Sequence, residues 1–573
     1  MDQKTEMNIK EWLEGNYDEA TKAAIRTMQS GDPAQLEDAF YKNLEFGTGG
    51  LRGIMGVGTN RMNKYTIGKA TQGYANYLKK NFDKVSVAIA YDARNNSKEF
   101  AQIVAEIFDA NGITVNLFES LRPTPVLSFA IRYLKCQGGV VLTASHNPKE
   151  YNGYKAYWDD GAQLVPPHDK NVITEVEKIV NLEDVRWKGD GSNIRMIGEE
   201  VDNAYLKMIK GLSVHPEICA KQHGIKIVYT PIHGTGIMMV PKGLAAYGFD
   251  NVHIVEEQAT PDGNFPTVVY PNPEEKETMS IGLKKAAELN ADILFGTDPD
   301  ADRVGVGLKD NHGNWILMNG NQTALLAFNY MIEARKEKGT AKPEDMVIKT
   351  IVTTDLIDKI AAENGVSCYN TLTGFKWISS LIRAKEGKEK YIIGGEESFG
   401  LMLGDEIRDK DSVSAVCIIA EMAAVEKEKG RTLFDKLLDI YRQYGFYYEE
   451  LISITRKGMN GAKEIAAMMQ AFRDNPPKEI AGSKVARLLD YQTLEDKNLD
   501  GGVIEKLDFP KSNVLQFILE NGDKISARPS GTEPKIKFYF SVNTTLEDIG
   551  DFDRKLEGLK GRIQDIIKSM GLG

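Results

Sequence analysis

Short apolar segments alternate along the chain with longer stretches in which apolar residues recur every three or four positions. The short segments predict β-strands, and the longer stretches predict amphipathic helices. Up to about residue 450 one order occurs three times: a strand, a helical stretch, a second strand, and a third strand that runs into a polar loop. The predicted first strands are 85–93, 225–234 and 346–354, the second strands are 113–118, 251–256 and 366–370, and the third strands are 138–145, 291–298 and 391–398.

Apolar strands separated by helices favour mixed or parallel sheets that are covered on both faces. Three such units predict a threefold repeat of one α/β architecture. In open α/β sheets, ligands bind at the carboxyl ends of the strands. The three third strands lead into the loops TASHNP, GTDPDADR and GGEESFG. We therefore expect these loops to converge on one cleft.

The two ends of the chain follow other patterns. Residues 1–40 are charged and have the apolar spacing of helices. The C-terminal part contains strand-like segments with a hairpin signal at Asn521-Gly522. Its last helix follows Thr544 and Glu547, which form the pattern of a capping box. This part predicts a fourth domain of the α+β class. The predicted domain boundaries are 1–205, 206–320, 321–450 and 451–573.

Composition narrows the class of protein. Of 573 residues, 42% are hydrophobic and 27% are charged, which is typical of soluble globular proteins. Lys and Arg number 71 against 82 Asp and Glu, so the formal net charge is −11. Because nucleic-acid binders usually carry a basic surplus, no nucleic-acid partner is expected.

The sequence also lacks the usual signals for membrane insertion, secretion and disulfide bonding. No apolar run reaches the ~18 residues of a membrane span, and the N-terminus lacks the pattern of a secretory signal. We therefore expect no membrane partner. The four cysteines form no CxxC pair, which indicates neither a disulfide framework nor a thiolate zinc site. These features predict a cytoplasmic protein, and nothing in the sequence predicts its oligomeric state.

The loop GTDPDADR places Asp298, Asp300 and Asp302 at alternate positions after an apolar strand. Carboxylates this close repel one another. A hard divalent cation relieves the repulsion, and all-oxygen ligands suit Mg²⁺, Mn²⁺ or Ca²⁺ rather than zinc. An EF-hand is excluded because Arg303 and Lys309 occupy the positions of its glycine and its bidentate glutamate. A solvated acidic loop is the alternative interpretation.

Ser145 lies at the end of an apolar strand, next to His146. This position suits a nucleophilic or phosphate-carrying hydroxyl. A serine that stabilises a turn is the alternative. No G-x-S-x-G pattern surrounds Ser145, which argues against an α/β-hydrolase.

The segment RPSGTEPK has the composition of a phosphate-binding loop. Its small residues expose backbone N–H groups, its hydroxyls add donors, and arginine adds a forked cation. The residues concerned are Arg528, Ser530, Gly531 and Thr532. A surface turn is the alternative, and the segment is not a Walker A motif.

Three further loops carry polar side chains. In GGEESFG, the acceptors Glu396, Glu397 and Ser398 suit the hydroxyl groups of a sugar, although acidic residues at a helix N-terminus would look the same. Arg52 lies in the glycine-rich FGTGGLRG, and Lys376 lies in GFKW. A plain turn and a solvated lysine are the alternatives for these two.

The motifs FGTGGLRG, TASHNPKEYNGYK, GTDPDADR, GGEESFG and RPSGTEPK follow one another over residues 46–535. In this combination the sequence resembles the α-D-phosphohexomutases, and most of all their phosphoglucomutase/phosphomannomutase branch with the GEESFG loop. The resemblance implies three related α/β domains with mixed sheets and a C-terminal α+β domain like the TATA-binding protein, all around a central cleft. It assigns phosphoserine, metal, sugar and phosphate binding to the four predicted domains in chain order.

The resemblance also implies residue roles. Ser145 would be the phosphoserine, and a phosphoryl oxygen on it would join Asp298, Asp300 and Asp302 in holding one Mg²⁺. Substrate contacts are expected from Arg303, Glu396, Ser398, Arg528, Ser530, Gly531 and Thr532. Basic groups near the reacting oxygens, including the general acid or base, are expected among Arg52, His146, Lys155 and Lys376.

The implied activity is an intramolecular phosphoryl transfer of the isomerase class. It would interconvert glucose 1-phosphate and glucose 6-phosphate, with glucose 1,6-bisphosphate as intermediate and activator. Mannose or pentose phosphates are the alternative main substrates. A serine-dependent phosphatase and a non-catalytic sugar-phosphate sensor are rival classes.

Overall fold

The computed structural model describes residues 1–47, 49–456, 458–530 and 535–572. Its first forty residues form three helices, each preceded by an aspartate whose side chain accepts a backbone N–H as an N-cap. These helices are α1 (Gln3–Glu14), α2 (Glu19–Gln29) and α3 (Pro33–Phe40). The ring of Trp12 stacks on that of Tyr17 and makes T-shaped contacts with the rings of Phe40 and Tyr65. This aromatic cluster attaches the N-terminal helices to the first α/β domain.

The first sheet has six strands in the order β1-β5-β4-β2-β3-β6. Strands β2, β3 and β4 are parallel, and β5 pairs antiparallel with β4. Its elements are β1 (Gly50–Ile54), α4 (Lys64–Asn81), β2 (Ser86–Tyr91), α5 (Ser97–Ala110), β3 (Thr114–Phe118), α6 (Thr124–Tyr133), β4 (Gly138–Leu142), β5 (Tyr151–Trp158), α7 (His168–Glu177), β6 (Ile194–Ile197) and α8 (Glu199–Lys210). Val87 and Ile89 pack on one face of β2, whereas Ala88 and Ala90 join a different core on the other face. The sheet is therefore covered on both sides.

The second sheet has five strands in the order β11-β10-β9-β7-β8. Its elements are α9 (Pro216–Lys221), β7 (Ile227–Thr230), α10 (Val240–Tyr247), β8 (Val252–Ile254), α11 (Lys276–Glu288), β9 (Ile293–Thr297), β10 (Val304–Lys309) and β11 (Trp315–Leu317). The third sheet has four strands in the order β13-β12-β14-β15. Its elements are α12 (Gly320–Glu337), β12 (Asp345–Thr350), α13 (Leu356–Glu363), β13 (Ser367–Thr371), α14 (Phe375–Lys385), β14 (Lys390–Glu396), β15 (Gly400–Leu403), α15 (Ser412–Glu428) and α16 (Leu433–Tyr444).

The three sheets share one arrangement. Each places its predicted first strand between the second and the third, with all three parallel, and adds an antiparallel strand beside the third. These cores are β3-β2-β4-β5, β8-β7-β9-β10 and β13-β12-β14-β15. The predicted threefold repeat and mixed sheets are confirmed, and the three polar loops leave the carboxyl ends of β4, β9 and β14.

The C-terminal part is an antiparallel sheet with helices, as the predicted α+β domain requires. Its elements are β16 (Phe446–Thr455), α17 (Gly458–Asp474), β17 (Glu479–Ile480), β18 (Ser483–Asp490), β19 (Glu495–Asn498), β20 (Gly502–Lys506), β21 (Leu515–Leu519), β22 (Lys524–Pro529), β23 (Lys535–Thr544) and α18 (Phe552–Ser569). The predicted capping box at Thr544 and Glu547 is wrong. Thr544 ends β23, and Asp548 instead caps a short 3-10 turn before α18.

Side chains of the fourth sheet bind the main chain of the third domain. Lys524 Nζ and Gln516 Nε2 donate to the carbonyl oxygen of Ile351 at 3.1 and 2.8 Å, and Lys524 also pairs with Asp355. Glu449 lies beside this pair, and burial raises its pKa to about 7.

Within the described ranges, no helix combines the length and apolarity needed to cross a membrane.

Glu449→Gln tests the electrostatics of this junction. The folded protein keeps the Glu449 proton up to about pH 7, whereas the unfolded chain releases it near its ordinary value of 4.5. Stability is therefore lost as the pH rises from the lower to the higher value. We expect Glu449→Gln to stabilise the protein at pH 8 by about 1–3 kcal/mol, and to change little at pH 4.5. Urea midpoints at both pH values measure this, with Glu450→Gln as the control. Equal shifts in both variants would contradict the assignment.

Candidate active site

Ser145 occupies a tight turn beyond β4. Its side chain is buried, and its φ of 52° lies in the left-handed region, which is rare for serine. The Ser145 N–H donates to Thr143 Oγ1 at 2.8 Å. Its Oγ donates to Asp298 Oδ2 at 2.8 Å and lies 3.1 Å from His146 Nδ1. The hydroxyl thus points from the first domain at the acidic loop of the second.

The three aspartates of that loop are buried together. Asp298 and Asp300 are 0% exposed and Asp302 is 2% exposed, and one carboxylate oxygen from each lies within 4.8 Å of the others. Asp298 Oδ1 accepts the backbone N–H groups of Asp302 and Arg303, both at 3.0 Å. The alternative of a solvated acidic loop is therefore wrong, because this loop is removed from water.

This donor set fits a hard divalent cation. All of its atoms are oxygens: three carboxylates and the hydroxyl of Ser145. The Oδ1 atoms of Asp300 and Asp302 are buried and accept no hydrogen bond from any described residue. Buried acceptors in native proteins are rarely left without a partner. Two oriented oxygens without donors are what a bound Mg²⁺ or Mn²⁺ would use.

Lysines from two other domains balance part of this charge. Lys155, on β5, donates to Asp300 Oδ2 at 2.8 Å and to Asp302 Oδ2 at 3.4 Å. Lys410, between β15 and α15, lies 3.0 Å from Asp302 Oδ2. Thr124 at the start of α6 donates its hydroxyl to Asp300 Oδ2 at 2.9 Å. The acidic loop is thus held from the first and third domains at once.

The cluster shifts the pKa values of its members. Burial raises the pKa of Asp298, and the charges of Asp302 and Asp300 raise it further. Burial acts in the same direction on Asp302, but Lys410 and Lys155 hold its pKa well below the usual range. Burial lowers the pKa of His146, and the nearby charges of Arg303 and Arg52 add to this. His146 is therefore a neutral imidazole at neutral pH.

The three loops share a strained turn and hold one another. Ser145, Ala301 and Phe399 have φ values of 52°, 52° and 67°. Non-glycine residues in this region cost about 1–3 kcal/mol and persist only where their surroundings hold them. The N–H of Val304 donates to the carbonyl oxygen of Phe399 at 3.0 Å, and Ser412 Oγ donates to that of Ala301 at 2.6 Å.

The GGEESFG loop follows β14. Glu396 is buried and accepts the N–H of Gly374 at 2.6 Å, so it joins the loop that carries Lys376. Burial raises the pKa of Glu396, although Lys410 opposes the shift. Lys376 lies at the start of α14, partly buried, and burial lowers its pKa. Ser398 is partly exposed on the same loop as Glu396.

The segment that is predicted to bind phosphate begins at the end of β22. In the antiparallel register of β22 and β23, Arg528 lies opposite Lys537. The N–H of Ser530 donates to the carbonyl oxygen of Lys535 at 2.7 Å. Gly531 and Thr532 lie outside the described residues. Burial and the charge of Glu397 raise the pKa of Tyr539, while the Arg528 guanidinium opposes the shift. Tyr539 and Glu397 line one cavity of about 270 Å³, so the fourth domain borders the GGEESFG loop.

The structure brings only part of the predicted set into contact. Ser145, His146, Lys155 and the three aspartates form one cluster. Arg52 Nη1 lies 3.5 Å from Asn147 on the serine loop, and Arg303 pairs with Glu274. The other predicted residues lie in or directly after elements of the third and fourth domains, and their participation stays a prediction: Lys376, Glu396, Ser398, Arg528 and Ser530.

Sequence analysis missed Lys410 and Thr124. Lys410 belongs to the charged run RDKD, which directly precedes helix α15, a helix that is buried except at its last two residues. Four charged residues directly before an apolar helix were a usable signal of a buried ionic cluster, because charged side chains are seldom buried without partners. Thr124 carried no signal, since its contact joins residues 176 positions apart.

Comparisons with known proteins agree with this architecture. The phosphoglucomutase/phosphomannomutase family matches by its alpha/beta/alpha domain I at residues 43–183, domain II at 203–313 and domain III at 319–444. A phosphoglucomutase of Staphylococcus aureus (strain USA300) is 38% identical over 534 residues, which are 93% of this chain and 95% of that protein. One of Staphylococcus haemolyticus is 38% identical over 515 residues, which are 88% and 92% of the two chains.

Solved structures share the fold. A putative phosphomannomutase from Thermus thermophilus aligns with a TM-score of 0.67 at 21% identity, covering 90% of this chain and 99% of that one. Parafusin, a phosphoglucomutase from Paramecium in an open form, aligns with a TM-score of 0.67 at 20% identity, covering 93% and 96%. The predicted fold class is confirmed. On the identity and coverage of the staphylococcal relatives, the chain belongs to the phosphoglucomutase/phosphomannomutase family.

Proposed function

We propose that this chain is a phosphoglucomutase that interconverts glucose 1-phosphate and glucose 6-phosphate. The observation that carries the proposal is the hydroxyl of Ser145, buried 2.8 Å from Asp298 within the three-aspartate cluster. The 38% identity to staphylococcal phosphoglucomutases over most of both chains supports the same activity. The enzyme is then an intramolecular phosphotransferase of the isomerase class.

Ser145 carries the phosphoryl group between turnovers. In the first half-reaction the bond from phosphorus to Ser145 Oγ breaks, and a bond forms from phosphorus to the free hydroxyl of the sugar phosphate. The proton of that hydroxyl passes to a base of the protein. Ser145 Oγ keeps the electron pair of the broken bond and takes up an equivalent proton, which restores its hydroxyl. The glucose 1,6-bisphosphate turns end for end, and the second half-reaction returns its other phosphoryl group to Ser145. The left-handed turn at Ser145 presents Oγ beyond the strand end for both steps.

The cation site belongs to the same proposal. Asp298, Asp300 and Asp302 would hold one Mg²⁺ together with an oxygen on Ser145. When bound, the ion supplies positive charge to the phosphoryl oxygens, whose negative charge spreads in the transition state. Because the carboxylates and Ser145 are buried together, bulk water is kept away from the group that Ser145 carries.

The lysines of the cluster act by charge. The pKa values of Lys155 and Lys410 are raised: burial lowers them, but the aspartates they face outweigh it. Both therefore stay protonated and stabilise phosphoryl oxygens next to Ser145. The proton of the sugar hydroxyl needs a group with the opposite shift. Burial lowers the pKa of Lys376 and of His146, so these two are the candidate bases.

The sugar would lie between the GGEESFG loop and the fourth domain. Glu396 and Ser398 would accept hydrogen bonds from its hydroxyls, and Arg303 would contact the substrate beside the aspartates. Arg528 and Ser530, with Gly531 and Thr532, would hold the phosphate that is not being transferred. Because the sugar reverses, these contacts must fit either end of it. No observation favours mannose or pentose phosphates as the main substrates.

Ser145→Ala tests the carrier role. Without the hydroxyl no covalent carrier remains, so we expect kcat to fall by at least about 10⁴-fold with glucose 1-phosphate. Intact-mass analysis of the parent protein should show one added phosphoryl group on Ser145 that is exchanged on incubation with sugar phosphates. Ser530→Ala is the matched control, expected to raise KM and to keep the phosphoserine. An active Ser145→Ala variant would refute the assignment, and faster turnover of mannose 1-phosphate would change the substrate.

A second test removes cation ligands. Asp300→Asn should weaken Mg²⁺ binding by more than about 100-fold, and Thr124→Val, which only orients Asp300, by about 10-fold. Calorimetry on the metal-free protein measures both affinities. Asp300→Asn should also raise the melting temperature without metal, because it removes like-charge repulsion.

Thr235→Val is the control for these variants. Thr235 is equally buried and donates to the same loop, but its acceptor is the carbonyl oxygen of Pro299 at 3.0 Å. Its Mg²⁺ affinity should stay within about threefold of the parent's, since no ligand is reoriented. Equal affinity in Asp300→Asn and the parent protein would place the cation elsewhere.

A further inference from the structure

Arg94 follows β2 and lies directly beneath the Ser145 loop. Its side chain is fully buried. Its Nη1 donates to the carbonyl oxygens of Pro148 at 2.8 Å and Tyr151 at 3.0 Å. Its Nη2 donates to those of Ser145 at 2.6 Å and Asn147. One guanidinium thus binds four main-chain carbonyls of the loop that carries the reacting hydroxyl.

Only an arginine can serve these acceptors together. Buried carbonyl groups require partners, and three of these four, those of Ser145, Asn147 and Pro148, lie outside the strands that could supply them. The guanidinium offers five donors in a rigid plane, whereas a lysine offers three donors on a single point. The Ser145 turn is left-handed, a conformation that persists only when neighbouring contacts hold it. Arg94 supplies such contacts through the carbonyl oxygens of Ser145 and Asn147.

Arg94 also touches the second domain. The ring of Phe265 lies 5.0 Å from Arg94 Cζ, within the range of a cation–π contact. Gly263 packs closely against the backbone that follows Arg94. A Cβ atom at Gly263 would lie only 2.3 Å from the backbone nitrogen of Asn95. Asn95 Nδ2 donates to Asn264 at 3.1 Å. The segment 263–265 belongs to the domain that carries the aspartates.

We propose that Arg94 is a positioning residue, which sets the main-chain conformation of the Ser145 loop and, through Phe265, fixes this loop against the aspartate-bearing second domain. The proposal rests on the proposed function. The Arg94 guanidinium donates to main-chain carbonyl oxygens of the loop rather than to the Ser145 hydroxyl. Its effect is on the distance and angle between Ser145 Oγ and Asp298.

Arg94→Lys is the first variant, because it keeps the charge and loses the planar fork. We expect kcat to fall about 100-fold, the effect of a misplacement near 1 Å, with KM within about threefold because the substrate's distal phosphate site is untouched. Phe265→Leu should lower kcat by about three- to tenfold through the same loop. Hydrogen exchange of peptides covering 143–152 should quicken in both variants.

Arg122→Lys is the matched control. Arg122 is also buried in the first domain, pairs with the carboxylate of Asp202, donates to main-chain carbonyls, and lies 5.6 Å from the ring of Phe118. We expect Arg122→Lys to lower the melting temperature by about as much as Arg94→Lys. Its kcat and its hydrogen exchange at residues 143–152 should stay at the levels of the parent protein. Unchanged exchange there in Arg94→Lys, or an equal kcat loss in Arg122→Lys, would overturn the proposal. Absence of turnover in the parent protein would instead contradict the proposed function and leave the exchange result to decide the role of Arg94.

Discussion

The burial of three like charges in one loop is the constraint on which the rest of this structure depends. Asp298, Asp300 and Asp302 are almost fully removed from water. The repulsion between their charges is stronger in the protein interior than it would be in water. Arg303 on the same loop lies 3.9 Å from Asp302, but two further balancing charges come from other domains. Lys155 belongs to the first domain and Lys410 to the third. The acidic cluster therefore exists only where three domains meet.

The repeat explains how three domains reach one point. Each unit places its polar loop after the same strand, so all three loops leave the carboxyl ends of their sheets. The loops then diverge in chemistry while keeping one feature: a non-glycine residue in a left-handed turn. Such turns are held by hydrogen bonds from neighbouring domains, as the Ser412 contact to Ala301 illustrates. Strain in each loop is thus offset by its neighbours, and the loops that carry Ser145 and the aspartates begin directly after buried strands.

Much of this was predictable from local patterns. The strands of the repeat are apolar because they are buried on both faces, and alternate aspartates after such a strand predict a cation site. The family follows from five motifs in order. The contacts of Arg94, Thr124 and Lys410 were not predictable, because each joins segments that only the tertiary structure brings together. The predicted start of the last helix was wrong because β23 extends to Thr544 and a 3-10 turn, capped by Asp548, precedes α18.

Lysine and cation need not compete for the acidic cluster. Lys155 uses the Oδ2 atoms of Asp300 and Asp302, and Lys410 uses the Oδ2 atom of Asp302. The Oδ1 atoms of the same two carboxylates are buried and accept no hydrogen bond from a described residue, although Arg303 Nε lies 3.9 Å from Asp302 Oδ1. Each carboxylate therefore faces a lysine with one oxygen and keeps the other for an ion. The lysines therefore offset part of the repulsion among the aspartates without occupying these two oxygens.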